Sequence, residues 1–264
     1  MPEGPELRLM ADFLNQYKDT ECYGTYKSTV TKIVTPDIED GVFIGAKSRG
    51  KELMLEFRTD TDENIKYFFS MGMSGNWQVS SGLNAVAPKH SHFNISLQYL
   101  RLHMVDPRRF AKWKIANDWN KDRSPDPLLE PTQWWVHFNE QIAKHKYDKI
   151  PIYELLMDQN LFNGVGNYIR AEVLFNMDIN PALTHWEIET ASLHRAICQV
   201  MTEAYSVGGM EIAAFKNPNQ IDQPKNKGDW QKCYKKSNMA SILDNNGRTF
   251  WYNPKYELCK LVTK

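Results

Sequence analysis

The chain has no C-x2-C pair: its four cysteines, Cys22, Cys198, Cys233 and Cys259, are scattered over 264 residues. A structural zinc site or a disulfide framework needs closely spaced thiols, so neither is expected, and no residue is assigned to a metal. His90 and His92 would face one side of a strand, but they have no third ligand nearby. A backbone or phosphate contact suits them better. No stretch approaches 18 apolar residues, and the charged start is unlike a signal peptide, so a soluble, intracellular protein with no membrane partner is expected. There is no internal repeat and no paired-acid motif of a carboxylate hydrolase. Net charge is missing too, with 32 Lys and Arg against 32 Asp and Glu. That balance by itself argues against a nucleic-acid binder, because phosphate neutralisation is the usual source of affinity.

The distribution of charge says otherwise. From Lys216 to Lys264 there are ten Lys or Arg against four acids, interleaved with Trp230, Tyr234, Phe250, Trp251 and Tyr252. A basic run is often a solvated face, but one mixed with aromatics also suits a polyanion. An apolar share of 42% fits a globular chain, long enough here for two modest domains with cores of their own.

The start, Met1-Pro2-Glu3-Gly4-Pro5-Glu6, allows two readings. Gly4 as a cap, Pro5 at the first helical position and Glu6 at the positive end of the dipole are ordinary helix-start signals. Leu7, Met10, Ala11, Leu14 and Tyr17 continue with helical spacing. Removal of Met1, however, would leave Pro2 with a secondary amine titrating near pH 8, partly uncharged at neutral pH and nucleophilic. Its adduct with an aldehyde would be an iminium with no N–H to lose, and so a permanent electron sink.

Beyond this helix, short strands are expected at Thr29 to Val34, Gly41 to Ala46, Leu53 to Phe57, Ile65 to Phe69, Trp77 to Val79, Phe93 to Leu97, Arg101 to Val105 and Lys112 to Ile115. Their spacing suits a two-layered β-sandwich, making residues 1–117 one domain. Residues 118–131 carry Pro125, Pro127 and Pro131 and read as a linker. Helical periods then run through 132–145, 151–158, 168–176 and 187–206, giving a second domain over 132–216. The polar stretch 217–237 reads as a mobile loop. The segment 238–264 holds a β-hairpin with Asn246-Gly247 at its turn. The class is α+β.

Six motifs occur in order along the whole chain: MPEGPE at the start, Ser48-Arg49-Gly50-Lys51, Met71-Gly72-Met73-Ser74-Gly75, Asp106-Pro107-Arg108-Arg109-Phe110, Asn163-Gly164-Val165-Gly166-Asn167 and Gly247-Arg248-Thr249. As a set they resemble the formamidopyrimidine-DNA glycosylase and endonuclease VIII family of base-excision repair enzymes. The resemblance implies a bifunctional glycosylase and abasic-site lyase that needs no cofactor and acts on damaged DNA, whether duplex, bubble or single strand; nothing in the sequence indicates oligomerisation, so a monomer is expected. In a eukaryote it would be nuclear. The lesions would be oxidised pyrimidines and hydantoin or formamidopyrimidine types, with the strand cut by β,δ-elimination.

By the same resemblance, Pro2 attacks C1′ and forms a Schiff base, and Glu3 protonates the sugar ring oxygen. Desolvation in a closed pocket would raise the affinity of Glu3 for that proton. Lys51 supports the reaction near a phosphate, while Glu6 positions the turn. Met73, Arg108 and Phe110 fill the gap left by the everted nucleotide. Asn167, at the entrance of a helix-two-turns-helix module, grips a phosphate. The tail lacks the family's usual zinc cysteines and is similar to the zinc-less finger of the Nei-like branch. Ile242, Leu243, Phe250 and Trp251 are expected to hold its hairpin, with Arg248 on a phosphate and Lys232 approaching the everted base. A rival on the same fold is a binder of abasic or bent DNA that has lost catalysis. The presence of Pro2, Glu3 and Lys51 argues against it.

Overall fold

A computed structural model describes residues 2–27, 40–82, 86–210 and 230–258. The expected strand Thr29 to Val34 and residues 217–229 of the expected mobile loop lie outside the described residues, as does Cys259. The chain divides into two compact units. Among the described residues, the first takes Pro2, those within Glu6–Asn120, and 208–210. The second takes Glu3–Pro5, Lys121–Val207 and 230–258.

The apolar face of α1 (Gly4–Leu14), which belongs to the first unit from Glu6 onward, buries Leu7, Met10, Ala11 and Leu14 in that unit's core. Eight strands follow: β1 (Thr20–Lys27), β2 (Gly41–Arg49), β3 (Glu52–Thr59), β4 (Asn64–Ser70), β5 (Asn76–Ser81), β6 (Ser91–Leu97), β7 (Leu100–Val105) and β8 (Lys112–Ile115). They form one antiparallel sheet in the order β5-β7-β6-β1-β2-β3-β4-β8. In a flat sheet β4 and β6, four places apart, would be separated by about 19 Å. Yet the rings of Phe69 on β4 and Phe93 on β6 have centroids 5.1 Å apart, and Phe93 lies 5.6 Å from Trp113 on β8. The sheet therefore folds over on itself into two layers. The rings between them meet mostly edge to face, each pair worth about 1 kcal/mol beyond area burial. β1 was not among the expected strands. It carries a bulge between Cys22 and Thr25, where Gly24 takes φ +123°.

The second unit contains α2 (Pro131–Ile142), the short α3 (Ile152–Leu155), α4 (Asn167–Met177), α5 (Thr190–Ser206) and the hairpin β9 (Ala240–Leu243) with β10 (Thr249–Tyr252). Pro131 stands in the first turn of α2, and the Glu189 carboxylate caps α5 by accepting from Ala191 and Ser192 N–H. Leu193, Ile197, Val200, Met201 and Ala204 give α5 a single buried stripe. α4 differs in kind, because every residue from Tyr168 to Leu174 is buried, Arg170 and Glu172 included.

The hairpin turn is a three-residue loop. Asp244 N–H donates to the Arg248 carbonyl and Gly247 N–H to the Asp244 carbonyl, both at 2.9 Å, with Gly247 at φ +71°. Leu243 does not hold this hairpin as expected: it is 56% exposed, because the alternation of β9 turns it outward. Phe250 does the holding, fully buried and stacked between Tyr153 and Tyr252 at centroid distances of 5.1 and 5.8 Å. Trp251 packs edge-on against Tyr234 at 4.9 Å.

Candidate active site

Pro2 is buried in the first unit, and Glu3 is 2% exposed in the second. Glu3 Oε1 accepts from Tyr168 N–H at 3.0 Å and Oε2 from Ile169 N–H at 3.2 Å. These donors lie in the first turn of α4, where the helix itself supplies no acceptor, so Glu3 provides the anion that a helix N-terminus favours. Two donors at a helix end thus hold the buried side chain in one place. Gly166 makes this approach possible, since a Cβ there would stand 2.5 Å from Glu3 Oε1. The anchor ties residue 3 to α4, one peptide link from the Pro2 nitrogen.

Glu6 is equally buried, but it serves another segment: its Oε1 accepts from Met210 N–H at 2.8 Å. Lys51 occupies the second central position of the tight β2–β3 turn, after Gly50 at φ +55° and between the paired Arg49 and Glu52. It is half-buried.

The structure brings the loops of Met73, Arg108 and Phe110 together. Met73 is 38% and Phe110 44% exposed, and the Arg108 guanidinium lies 4.7 Å above the Phe110 ring. Gly72, at φ +58°, lies against Phe110 so closely that a Cβ would sit 2.6 Å from its backbone. Beneath them lies Asp106, fully buried, a residue not assigned a role from sequence. Its carboxylate accepts from the Ser74 hydroxyl, from Arg108 N–H at 3.2 Å and from Ala111 N–H at 2.6 Å. One carboxylate thus joins the two loops and holds Arg109 within a tight turn at φ +57°. His92 takes a backbone contact, its Nε2 lying 3.1 Å from the Asp106 carbonyl oxygen.

In the second unit, Asn167 Nδ2 donates to the Thr249 carbonyl at 2.7 Å, while its Oδ1 accepts from Arg170 Nε and Nη2 at 2.9 and 2.6 Å. Arg170 also donates to Asp244 Oδ2 at 2.8 Å, in an ion pair whose side chains are both fully buried. Burial works against the guanidinium's charge, and Asp244 is the chief group supporting it. Arg248 is exposed.

Lys232 is exposed, its Nζ 3.5 Å from Asn176 Oδ1, but its backbone is fixed. The buried Glu172 carboxylate accepts from the N–H groups of Lys232, Cys233 and Tyr234 at 2.8 to 3.3 Å. Burial pushes the Cys233 thiol up to about 12, with Glu172 adding to the shift. Asp106, Arg170, Glu172 and Asp244 are the organising residues that sequence did not single out. The one available signal was Arg170 and Glu172 lying in a helix with no polar face.

Known proteins correspond to this architecture along most of the chain. The model of the formamidopyrimidine-DNA glycosylase N-terminal domain matches residues 1–113, that of the formamidopyrimidine-DNA glycosylase H2TH domain matches 124–216, and that of the endonuclease VIII-like 1 DNA-binding region matches 228–255. Human endonuclease 8-like 1 is 30% identical over 285 residues, covering 96% of this chain and 72% of the relative. The mouse protein of that name is 30% identical over 290 residues, with the same coverage. A formamidopyrimidine-DNA glycosylase of Acinetobacter baumannii is 28% identical over 178 residues, 66% of this chain and 63% of that protein. The crystal structure of Lactococcus lactis Fpg with abasic-site DNA shares the fold, with a TM-score of 0.78 at 22% identity over 96% of this chain and 98% of that one. The chain belongs to the formamidopyrimidine-DNA glycosylase and endonuclease VIII family of base-excision repair DNA glycosylases, in its Nei-like branch.

Proposed function

We propose that this protein removes oxidised bases from DNA through the amine of Pro2 and then cuts the strand by β- and δ-elimination. The observation that carries the reading is the seating of Glu3 on the N–H groups of Tyr168 and Ile169, which fixes the residue next to the reacting amine. Once Met1 is removed, the neutral Pro2 nitrogen attacks C1′ and the damaged base leaves. Glu3, carrying a proton, delivers it to the ring oxygen, the ring opens, and the iminium on Pro2 acidifies the C2′ protons for elimination. As a carboxylate, Glu3 also stabilises the positive charge developing beside it. Lys51 steadies a phosphate of the strand being cut.

Oxidised pyrimidines and hydantoin or formamidopyrimidine bases are the substrates assigned here. Met73, Arg108 and Phe110 occupy the space of the everted nucleotide, and their joint mounting on Asp106 supports that role. Asn167 and Arg248 hold phosphates, and Lys232 serves the everted base. We assign the enzyme to the cell interior and, in a eukaryote, to the nucleus.

The test is a panel of duplexes bearing one lesion or one preformed abasic site. Wild type is expected to release the oxidised base and nick both kinds of duplex. Pro2→Gly keeps an α-amine but forfeits the permanently charged iminium, so both steps should slow, and Glu3→Gln should lose base release by at least a hundredfold. Full base release by protein that retains Met1 would overturn the assignment.

A further inference from the structure

The polar groups around the hairpin form a closed circuit. Asn167 donates to the carbonyl of Thr249, and the preceding residue, Arg248, donates its backbone N–H to Asp244 Oδ1 at 2.8 Å. The other oxygen of Asp244 receives Arg170 Nη2, and Arg170 returns to Asn167 Oδ1. Asp244 Oδ1 also accepts from Asn246 N–H at 3.0 Å, so this one carboxylate shapes the three-residue turn and anchors it to α4. A further tie comes from Asn245 N–H, which donates to Glu154 Oε1 at 2.9 Å. Arg170 is held from a second side by the Tyr153 carbonyl at 2.9 Å, with its guanidinium 5.0 Å from the Phe250 ring centroid. The side chains of Asp244 and Arg170 are fully buried, whereas that of Arg248 is solvent-exposed.

A flexible turn carrying one exposed arginine would spend most of its time away from any fixed phosphate position. A turn bonded through Asp244 to the helix that bears Asn167 keeps the two groups in constant register. We propose that Asp244 is the positioning residue for Arg248, itself held in place by Arg170 and, through Arg170, by Asn167. This rests on the reading of Arg248 as a phosphate contact. Preorganisation lowers the ordering cost of binding, so the contribution of Asp244 should exist only while Arg248 is present to use it.

The experiment measures the affinity of the full chain for a duplex containing a stable abasic analogue, as a function of salt, with the melting temperature of every variant. Arg248→Ala is expected to weaken binding about tenfold and to reduce the salt slope by about one phosphate contact. Asp244→Asn keeps the acceptor that shapes the turn but cuts the charged tie, and it should weaken binding by a similar factor with the same loss of slope. Combined with Arg248→Ala it should cost less than a further twofold. Should Asp244→Asn fail to fold because it orphans the buried Arg170, Arg170→Met with Asp244→Asn removes both buried charges and carries the same test. Effects that multiply in full in the Arg248→Ala background would overturn the positioning role while leaving the phosphate contact intact. An Arg248→Ala variant that binds with unchanged affinity and slope would overturn both.

Discussion

Gly166→Ala is the sharpest single perturbation of the Glu3 anchor. Gly166 has φ −135° and ψ −153°, an extended backbone that alanine adopts, so the substitution tests space rather than conformational freedom. The added Cβ would lie 2.5 Å from Glu3 Oε1 and 2.8 Å from its Cγ, and the carboxylate must leave its seat. Leaving breaks the bonds from Tyr168 and Ile169 N–H. At about 1.5 kcal/mol for each charge-assisted bond, the loss is about 3 kcal/mol. The fraction of molecules with Glu3 seated should then fall about a hundredfold. Single-turnover base release should fall by about that factor, and Glu3→Gln added to Gly166→Ala should cost little more, because the two act on one group. A Gly166→Ala enzyme within threefold of wild type, or a double variant in which both losses multiply in full, would refute the anchor.

Asp106→Asn leaves too few acceptors for the Ser74 hydroxyl and the Arg108 and Ala111 N–H groups, and so loosens the loops of Met73 and Phe110. Excision from duplex should drop about tenfold, with excision from single strands nearly unchanged, since only a duplex needs the void filled. Phe250→Ala should destabilise the fold by about 3 kcal/mol, and Leu243→Ala should fall within about 0.5 kcal/mol of wild type by thermal melting. Burial pushes the thiols of Cys22 and Cys233 up to about 11 and 12, so both stay protonated in the fold where an unfolded chain would ionise. The unfolded state then binds fewer protons as pH rises through 9 toward 11, and stability should fall by about 1 kcal/mol per thiol by pH 10, a loss that Cys22→Ser and Cys233→Ser would remove. An alkaline stability profile unchanged by those substitutions would contradict this assignment.

Much of the fold was legible because its signals are local. Alternation marked seven of the eight described strands of the first unit, and helical periods marked α2 to α5. β1 was missed because Gly24 and a bulge interrupt its pattern between Cys22 and Thr25, and no alternation survives to be read. Leu243 was misassigned for the opposite reason: an apolar letter in a four-residue strand says nothing about which face is buried until Phe250 and Tyr252 are seen on the other strand. The motif residues could be named one by one, but their supports could not. Asp106, Arg170, Glu172 and Asp244 act through partners in other segments, as Glu172 does on Lys232, 60 residues away. A buried charge paired across such a separation has no local pattern. The anchoring of Glu3 was also hidden, because the Gly-rich entrance of α4 advertises an anion site without saying that the chain itself fills it.

The central claim is that the reacting nitrogen belongs to Pro2, and peptide mapping of the reduced adduct tests it most directly. The protein, its N-terminus verified by mass spectrometry, is mixed with lesion duplex and borohydride, digested, and the sugar-bearing peptide is sequenced. The account predicts a covalent sugar on the N-terminal peptide beginning at Pro2, absent from any fraction that retains Met1. An adduct on Lys51 or another lysine, or full trapping by protein that still carries Met1, would contradict it.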